Sequence, residues 1–305
     1  MSVPVVAASD AAAARLVVVT TGPCVSLTVS SHGSGVAGAA PVAAGGLAAA
    51  MDDALRDLRG DVRVVLVRGL HRLPGAPELP GTPEVRGTPE PPESHGPAGS
   101  REPAGSQGPV GIPRPALDAS GGDLGRWTRV AHRLSERADL TSIAVLAGRT
   151  SGVGLALALA CDLRVMAENS ALCLPEPAHG RVPTMGVTAA LVEALGYERA
   201  LHLCLTGEAV PAPDAVRLGL AALAVPAAVV DAEADRLADR VLAVPREAAA
   251  ETKALLRQTR GPAIARSGEA EAEALRRLAA GNPATGYLGD ADSTGAATCD
   301  TSSDG

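Results

Sequence analysis

Residues 141–186, TSIAVLAGRTSGVGLALALACDLRVMAENSALCLPEPAHGRVPTMG, decide the fold. The apolar run at 143–147 contains β-branched residues and predicts a buried strand. A glycine-containing turn at 148–152 follows. Residues 153–161 then run without a polar side chain and are rich in Ala and Leu, which predicts a buried helix. A strand, a turn and a helix N-terminus direct free backbone N–H groups and the positive end of a helix dipole at whatever lies above them. The start of this helix is therefore the first candidate site.

Composition narrows the possible functions. The chain has 305 residues, enough for one large domain or two small ones, and 46% of them are hydrophobic. It has no Phe and a single Trp, so the core must consist of Ala, Val and Leu. A net charge of −7 argues against binding to nucleic acid or to an anionic membrane. Five scattered cysteines predict neither a disulfide framework nor a zinc site, and they favour the cytoplasm. No segment is apolar over the length needed to span a bilayer.

The domain organisation follows from where composition changes. Residues 14–225 predict one core, interrupted at 71–116 by a Pro/Gly-rich insertion that cannot bury enough apolar surface to order itself. The insertion is either a mobile lid, a docking segment or a tolerated neutral addition. Residues 226–280 predict a C-terminal helical region, and 281–305 a disordered tail. Upstream of the insertion, helical and strand patterns predict strands at 15–19, 24–29 and 62–67 and a helix at 47–58. Downstream of it, residues 127–138 predict an amphipathic helix.

Three blocks of sequence resemble one known family. They are GVGLALALACDLRVMA at 152–167, PEPAHGRVP at 175–183 and TGEAVPAPDAVRLGL at 206–220. Their order and spacing resemble the crotonase superfamily, the enoyl-CoA hydratase/isomerase family. The resemblance implies an α/β fold, a crotonase-type ββα spiral core with a C-terminal helical region. It also implies an acyl-CoA thioester as ligand, no cofactor beyond the coenzyme A of the substrate, no metal, and a homotrimer or a dimer of trimers.

The resemblance also implies an oxyanion hole made of two backbone N–H groups. By motif position these belong to Gly122 and Val153. The family usually has Gly at the second position, and Val153 keeps the N–H but adds a β-branched side chain that narrows the site. Substrate contacts are implied for Ser120, Gly121, Asp123, Gly152 and Lys253. Two alternatives stay open, an ordinary turn at Gly121 and Gly122 and a solvated helix face for Lys253.

The acid/base residues distinguish the possible reactions. Hydratases of this family use two glutamates, and this sequence has Ala156 at the first position and Glu176 at the second. Each such group contributes about 10²–10⁴-fold to the rate, so hydration is not expected. A single glutamate at the second position resembles the family's enoyl-CoA delta-isomerases, which predicts that Glu176 is a lone catalytic base.

Other interpretations remain beside this one. Glu176 could be an exposed loop carboxylate. Three features carry a second resemblance: Ala156 in place of a glutamate, Val153 in the oxyanion loop, and WTRVAHRL at 127–134 before the core strand. In these the chain resembles the non-hydratase auxiliary proteins that assist a polyketide-type synthase in dihydroxyphenylacetyl-CoA biosynthesis, a pathway of secondary metabolism. A third interpretation is a degraded paralogue retained as a scaffold.

Overall fold

The computed structural model describes residues 5–7, 15–30, 44–73, 121–260 and 263–281. Ser120, nearly all of the insertion predicted to be disordered at 71–116 and nearly all of the tail predicted at 281–305 lie outside these ranges. Within the described residues, no helix combines the length and the apolar character needed to cross a membrane.

The strands form one large and one small sheet. They are β1 (Val5–Ala7), β2 (Arg15–Thr21), β3 (Cys24–Ser30), β4 (Val64–Arg68), β5 (Thr141–Leu146), β6 (Arg149–Thr150), β7 (Leu163–Ala167), β8 (Ala171–Leu172), β9 (Val210–Pro211) and β10 (Leu223–Val225). The large sheet has the order β1-β2-β3-β4-β5-β7-β10, and the small one β6-β8-β9. From β3 to β10 neighbouring strands of the large sheet are parallel, whereas β1, β2 and β3 pair antiparallel. Strand β1 was not predicted from the sequence.

Helices connect and cover the strands. They are α1 (Ala44–Arg56), α2 (Gly121–Glu136), α3 (Gly152–Ala160), α4 (Val187–Leu195), α5 (Tyr197–Thr206), α6 (Ala212–Arg217), α7 (Val230–Leu242), α8 (Arg246–Arg260) and α9 (Ala263–Gly281). Pairs of strands followed by a helix recur, as in β2-β3-α1 and β5-β6-α3. The helix predicted to begin at Trp127 begins six residues earlier, at Gly121.

Alternating side chains give the central strands two apolar faces. In β5, Ala144 and Leu146 enter the main core, while Ile143 and Val145 enter a second cluster on the other face. This is the two-residue period of a strand, in which successive side chains point to opposite sides. The second cluster is closed by α7. The main core contains α1, α2 and α3, so the predicted site at the start of α3 lies on the main-core side of the sheet.

Candidate active site

The start of α3 has the geometry that the sequence predicts. Gly152 has φ 54°, a left-handed conformation that a residue with a side chain adopts only at a cost in energy. Ser151 precedes it in extended conformation, and the Ser151 carbonyl accepts from the N–H of Leu155 at 3.3 Å. Val153 is buried in the first turn, where backbone N–H groups have no acceptor within the helix. The Val153 N–H is therefore oriented as a helix N-terminal donor.

A close backbone contact fixes this helix start. A Cβ atom added at Gly154 would lie 2.4 Å from the carbonyl oxygen of Leu70. Leu70 begins the short 3-10 helix Leu70–Arg72, which follows β4. Only glycine allows this approach, so Gly154 sets the position of α3 relative to the end of β4.

One backbone hydrogen bond brings Glu176 near the start of α3. The N–H of Cys173 donates to the carbonyl of Thr150 at 2.9 Å, extending the pairing of β6 with β8. Val153 lies three residues after Thr150, and Glu176 lies three residues after Cys173. The two predicted groups therefore emerge from the same pair of hydrogen-bonded strands.

Glu176 itself is held in a short turn. It precedes the 3-10 helix Pro177–His179, and its carbonyl accepts from the N–H of Arg181 at 3.0 Å. Its side chain is half-buried and its Oε2 atom is buried. The alternative of an exposed loop carboxylate is therefore wrong.

The carboxylate of Glu176 contributes to the raised pKa values of two nearby thiols. Burial raises the pKa of Cys173; Arg149 opposes this shift and Glu176 adds to it. Burial also raises the pKa of Cys204, and the negative charges of Glu176 and Glu271 raise it further. Thiols with raised pKa values stay protonated and are poor nucleophiles. Cys173 and Cys204 are therefore poor candidates for a nucleophile, and both lie within electrostatic reach of the Glu176 side chain.

The other predicted oxyanion donor lies in α2. Gly121, Gly122 and Asp123 form the first turn of this helix. The structure therefore has a helix start at these residues and not the ordinary turn that was the alternative. The N–H of Gly122 thus belongs to a second helix N-terminus, where intrahelical acceptors are lacking. Helix α2 packs against α3. The roles of Gly122 and Val153 as the two donors of one oxyanion hole remain a prediction, as do the substrate contacts of Gly121, Asp123 and Gly152.

Ala156 occupies the position of the missing glutamate. It lies one turn after Val153 in α3 and is 3% exposed. Its neighbours in the helix, Leu155 and Leu157, are buried in the same apolar core. No residue of α3 offers a carboxylate, so the side chain of Glu176 has no partner acid on this helix.

Lys253 lies away from these groups. Its ammonium donates to Asp162 Oδ2 at 2.7 Å and to the carbonyl of Leu140 at 2.6 Å. Its side chain is only 12% exposed, so the alternative of a solvated helix face is wrong. Asp162 follows the C-terminal end of α3, and a nine-residue helix is about 14 Å long. The structure therefore does not bring Lys253 together with Gly152 and Val153.

Sequence reasoning missed one buried carboxylate near the site, Glu271 of α9. It is 5% exposed and binds the start of α4. A glutamate in a helix with many charged residues gives no sequence signal of burial. Among the described residues, no three His, Cys, Asp or Glu side chains are grouped so as to hold a metal ion.

Comparison with known proteins settles the family. The family model for enoyl-CoA hydratase/isomerase matches residues 126–283, more than half of the chain. The chain belongs to the enoyl-CoA hydratase/isomerase family. The predicted membership in the crotonase superfamily is thereby confirmed.

Individual relatives in this family match over shorter stretches. An enoyl-CoA isomerase/hydratase of Penicillium crustosum is 42% identical over 81 residues, 27% of this chain and 9% of the relative. A probable mitochondrial enoyl-CoA hydratase of Dictyostelium discoideum is 33% identical over 113 residues, 35% of this chain and 41% of the relative. The matches thus span less than half of the length of these curated relatives.

Solved structures of enoyl-CoA hydratases match over most of the chain. A putative enoyl-CoA hydratase of Thermobifida fusca in complex with CoA has 30% identity and a TM-score of 0.59, covering 87% of this chain and 93% of that one. An enoyl-CoA hydratase of Mycobacterium avium subsp. paratuberculosis has 21% identity and a TM-score of 0.62, covering 86% and 89%. These likenesses confirm the predicted crotonase-type α/β fold.

Proposed function

We propose that the protein binds an acyl-CoA thioester and moves a double bond along its acyl chain, with Glu176 as the single base. One observation carries this proposal. The hydrogen bond from Cys173 to Thr150 places the start of α3 and Glu176 three residues beyond the same strand pairing. A helix N-terminal N–H and one half-buried carboxylate are thus available to the same substrate.

The reaction needs one proton and one anionic intermediate. Glu176 removes a proton from C-2 of a 3-enoyl thioester, and the electron pair delocalises onto the thioester oxygen. The N–H groups of Gly122 and Val153 stabilise that oxyanion. The protonated Glu176 then returns the proton to C-4, which leaves a 2-enoyl thioester and the original carboxylate. One preorganised N–H donor is worth about 2.7–4 kcal/mol in such a site.

Hydration is disfavoured by Ala156. Adding water across a double bond needs one group to activate the water and another to deliver the proton to the α-carbon. Ala156 can do neither, and α3 supplies no carboxylate in its place. Isomerisation needs only one proton shuttle, which Glu176 can supply without a second acid on α3.

The ligand class is supported by the similar structures. The Thermobifida fusca protein was solved with CoA and with acetoacetyl-CoA, at 30% and 29% identity to this chain. The same ligand class is proposed here, with Ser120, Gly121, Asp123 and Gly152 as further contacts and no cofactor beyond coenzyme A. A cytoplasmic location and a homotrimer or dimer of trimers complete the proposal. The four described cysteines are free thiols, in keeping with a reducing compartment.

The proposal is tested with Glu176→Gln and a matched control, Glu168→Gln. Acetyl-CoA binding is measured by calorimetry, and conversion of a 3-enoyl-CoA is followed by the absorbance of the conjugated product. We expect Glu176→Gln to lower kcat by about 10²–10⁴-fold while the affinity for acetyl-CoA is kept. Glu168 is exposed at the end of β7, so its variant should match the wild type.

Each other outcome has a definite meaning. Binding without turnover by the wild-type protein would contradict the isomerase and favour the auxiliary role beside a polyketide-type synthase. If no CoA thioester binds, the fold is retained without the site and the enzyme proposal must be dropped.

A further inference from the structure

Glu271 of α9 binds the N-terminus of α4 with both of its carboxylate oxygens. Oε2 accepts from the N–H of Gly186 at 2.8 Å, and Oε1 accepts from the N–H of Thr188 at 3.0 Å and from the Thr188 hydroxyl. Gly186 is the N-cap residue of α4 and has no side chain of its own to cap the helix. A buried carboxylate 85 residues away therefore does the capping, where the helix dipole favours a negative charge.

The backbone just before this cap is strained. Met185 has φ 62°, and among the described residues it is the single non-glycine residue with positive φ. Gly186 follows with φ 83°. A left-handed methionine persists only where the surrounding structure over-determines it, and such strain gathers at functional sites. The bonds from Gly186 and Thr188 to Glu271 supply this constraint from the C-terminal side.

The strained turn ends the segment that carries Glu176. We define the Glu176 segment as residues 175–186. Just before it, the N–H of Cys173 is bonded to Thr150, and at its end the N–H of Gly186 is bonded to Glu271. Both carboxylates lie close enough to Cys204 of α5 to raise the pKa of its thiol. The segment is thus held between the strand pairing at the start of α3 and a carboxylate of α9.

We propose that Glu271 is a positioning residue that fixes the Glu176 segment, through the strained turn at Met185, in the geometry that Glu176 needs for proton transfer. The inference rests on the proposed function of Glu176. Glu271 is not assigned a proton-transfer role of its own, because both of its oxygens already accept hydrogen bonds from α4. Its effect on catalysis therefore passes through the backbone of residues 175–186.

The test compares Glu271→Gln with Glu273→Gln. Glu273 lies two residues further along α9, is half exposed and pairs with Arg276 at 2.7 Å. It is the same residue type on the same helix as Glu271, but its ion pair is with α9 itself and not with the start of α4. A displacement of about 1 Å at a reacting group can cost about 100-fold, so we expect kcat of Glu271→Gln to fall about 10–100-fold. KM and the calorimetric affinity for acetyl-CoA should stay within about two-fold, since the proposed oxyanion donors lie on α2 and α3, outside the segment that Glu271 holds. Glu273→Gln should leave kcat and KM unchanged.

A second substitution separates positioning from general stability. Glycine adopts the left-handed conformation without strain, so adding Met185→Gly to Glu271→Gln should recover part of the lost kcat. Equal kcat values for Glu271→Gln and Glu273→Gln would overturn the inference. If Glu271→Gln does not fold, Thr188→Val removes the hydroxyl hydrogen bond to Glu271 and keeps the two backbone N–H bonds. A smaller fall in kcat then supports the inference, and no fall overturns it.

Hydrogen–deuterium exchange keeps this test independent of turnover. Backbone amides of residues 175–190 should exchange faster in Glu271→Gln than in the wild type or in Glu273→Gln. If the wild type turns over no enoyl-CoA, the proposed function has failed, but this comparison still shows whether Glu271 holds the segment. Unchanged exchange would overturn the inference whatever the activity.

Discussion

At the scale of single residues, Gly154 shows how little space the start of α3 allows. A methyl group there would meet the Leu70 carbonyl oxygen at 2.4 Å, and backbone cannot move aside as a flexible side chain can. We expect Gly154→Ala to lower the free energy of unfolding by about 1–3 kcal/mol and to displace the Val153 N–H. The free energy of unfolding is measured by urea denaturation, with the fluorescence of Trp127 as the signal. Trp127 is the only tryptophan of the chain and is buried in α2.

Gly125 provides the matched control for Gly154. It lies within α2, and a Cβ atom added there has nothing within 4 Å. Because Ala is the better helix former, Gly125→Ala should raise the free energy of unfolding by about 0.5–1 kcal/mol. If both variants change the free energy of unfolding in the same direction, the close contact with Leu70 is not what determines the stability of Gly154→Ala.

At the scale of elements, one buried carboxylate joins α1 to α2. Asp52 of α1 is 5% exposed, and its side chain binds Arg56 at 3.0 Å and Arg133 of α2. Burial acts to raise the pKa of Asp52, but the hydrogen bonds from Arg133 and Arg56 outweigh it and hold the pKa below its usual 3.8. The folded state therefore favours the ionised form more than the unfolded state does.

This pKa shift fixes the pH dependence of an Asp52→Asn variant. A lowered carboxyl pKa contributes stability above pH 3.8, which is lost as the pH falls through the lower folded-state value. At pH 7 we expect Asp52→Asn to lower the free energy of unfolding by about 1.5–3 kcal/mol. The difference from the wild type should shrink in acid, as measured by urea unfolding at pH 7 and below pH 3.8.

Asp53 is the control for that experiment. It is the next residue, and its side chain pairs with the same Arg56 at 2.6 Å but is 56% exposed. Exposed ion pairs are worth about 0–1 kcal/mol, so Asp53→Asn should change stability little at either pH. An equal loss in both variants would contradict a special role for the buried carboxylate.

At the scale of the whole molecule, one face of α5 exposes apolar side chains that another copy of the chain could cover in the proposed homotrimer. Tyr197, Leu201 and Leu205 recur every four residues and are 69%, 41% and 71% exposed. Contiguous exposed apolar surface commonly marks an interaction site. We expect this face to be covered by another copy in the proposed homotrimer.

Charge introduced on that face should break the assembly. A cost of about 2 kcal/mol or more at each interface weakens association about 30-fold. Leu205→Glu should therefore shift sedimentation towards a monomer, with Val229→Glu, which is exposed outside α5, as the control. A wild-type protein that is monomeric at all concentrations would exclude the proposed trimer.

Local sequence determined the family, the strand-turn-helix at 141–161 and the residue types at the candidate site. Hydrophobic period and glycine position act between residues a few places apart, so they can be read along the chain. The replacement of a glutamate by Ala156 and the presence of Glu176 follow directly from residue identity within the motifs. The predicted helix start at Trp127 is six residues too late, because the side-chain pattern does not define where a glycine-rich helix begins.

Only the tertiary structure decided which distant groups meet. The contact of Glu271 with Gly186 joins residues 85 positions apart, and the burial of Lys253 against Asp162 joins residues 91 apart. The hydrogen bond from the Cys173 N–H to the Thr150 carbonyl uses backbone atoms alone, and every residue except proline has that N–H donor. Such contacts depend on how elements pack in three dimensions, and that packing leaves no periodic or compositional pattern in the chain.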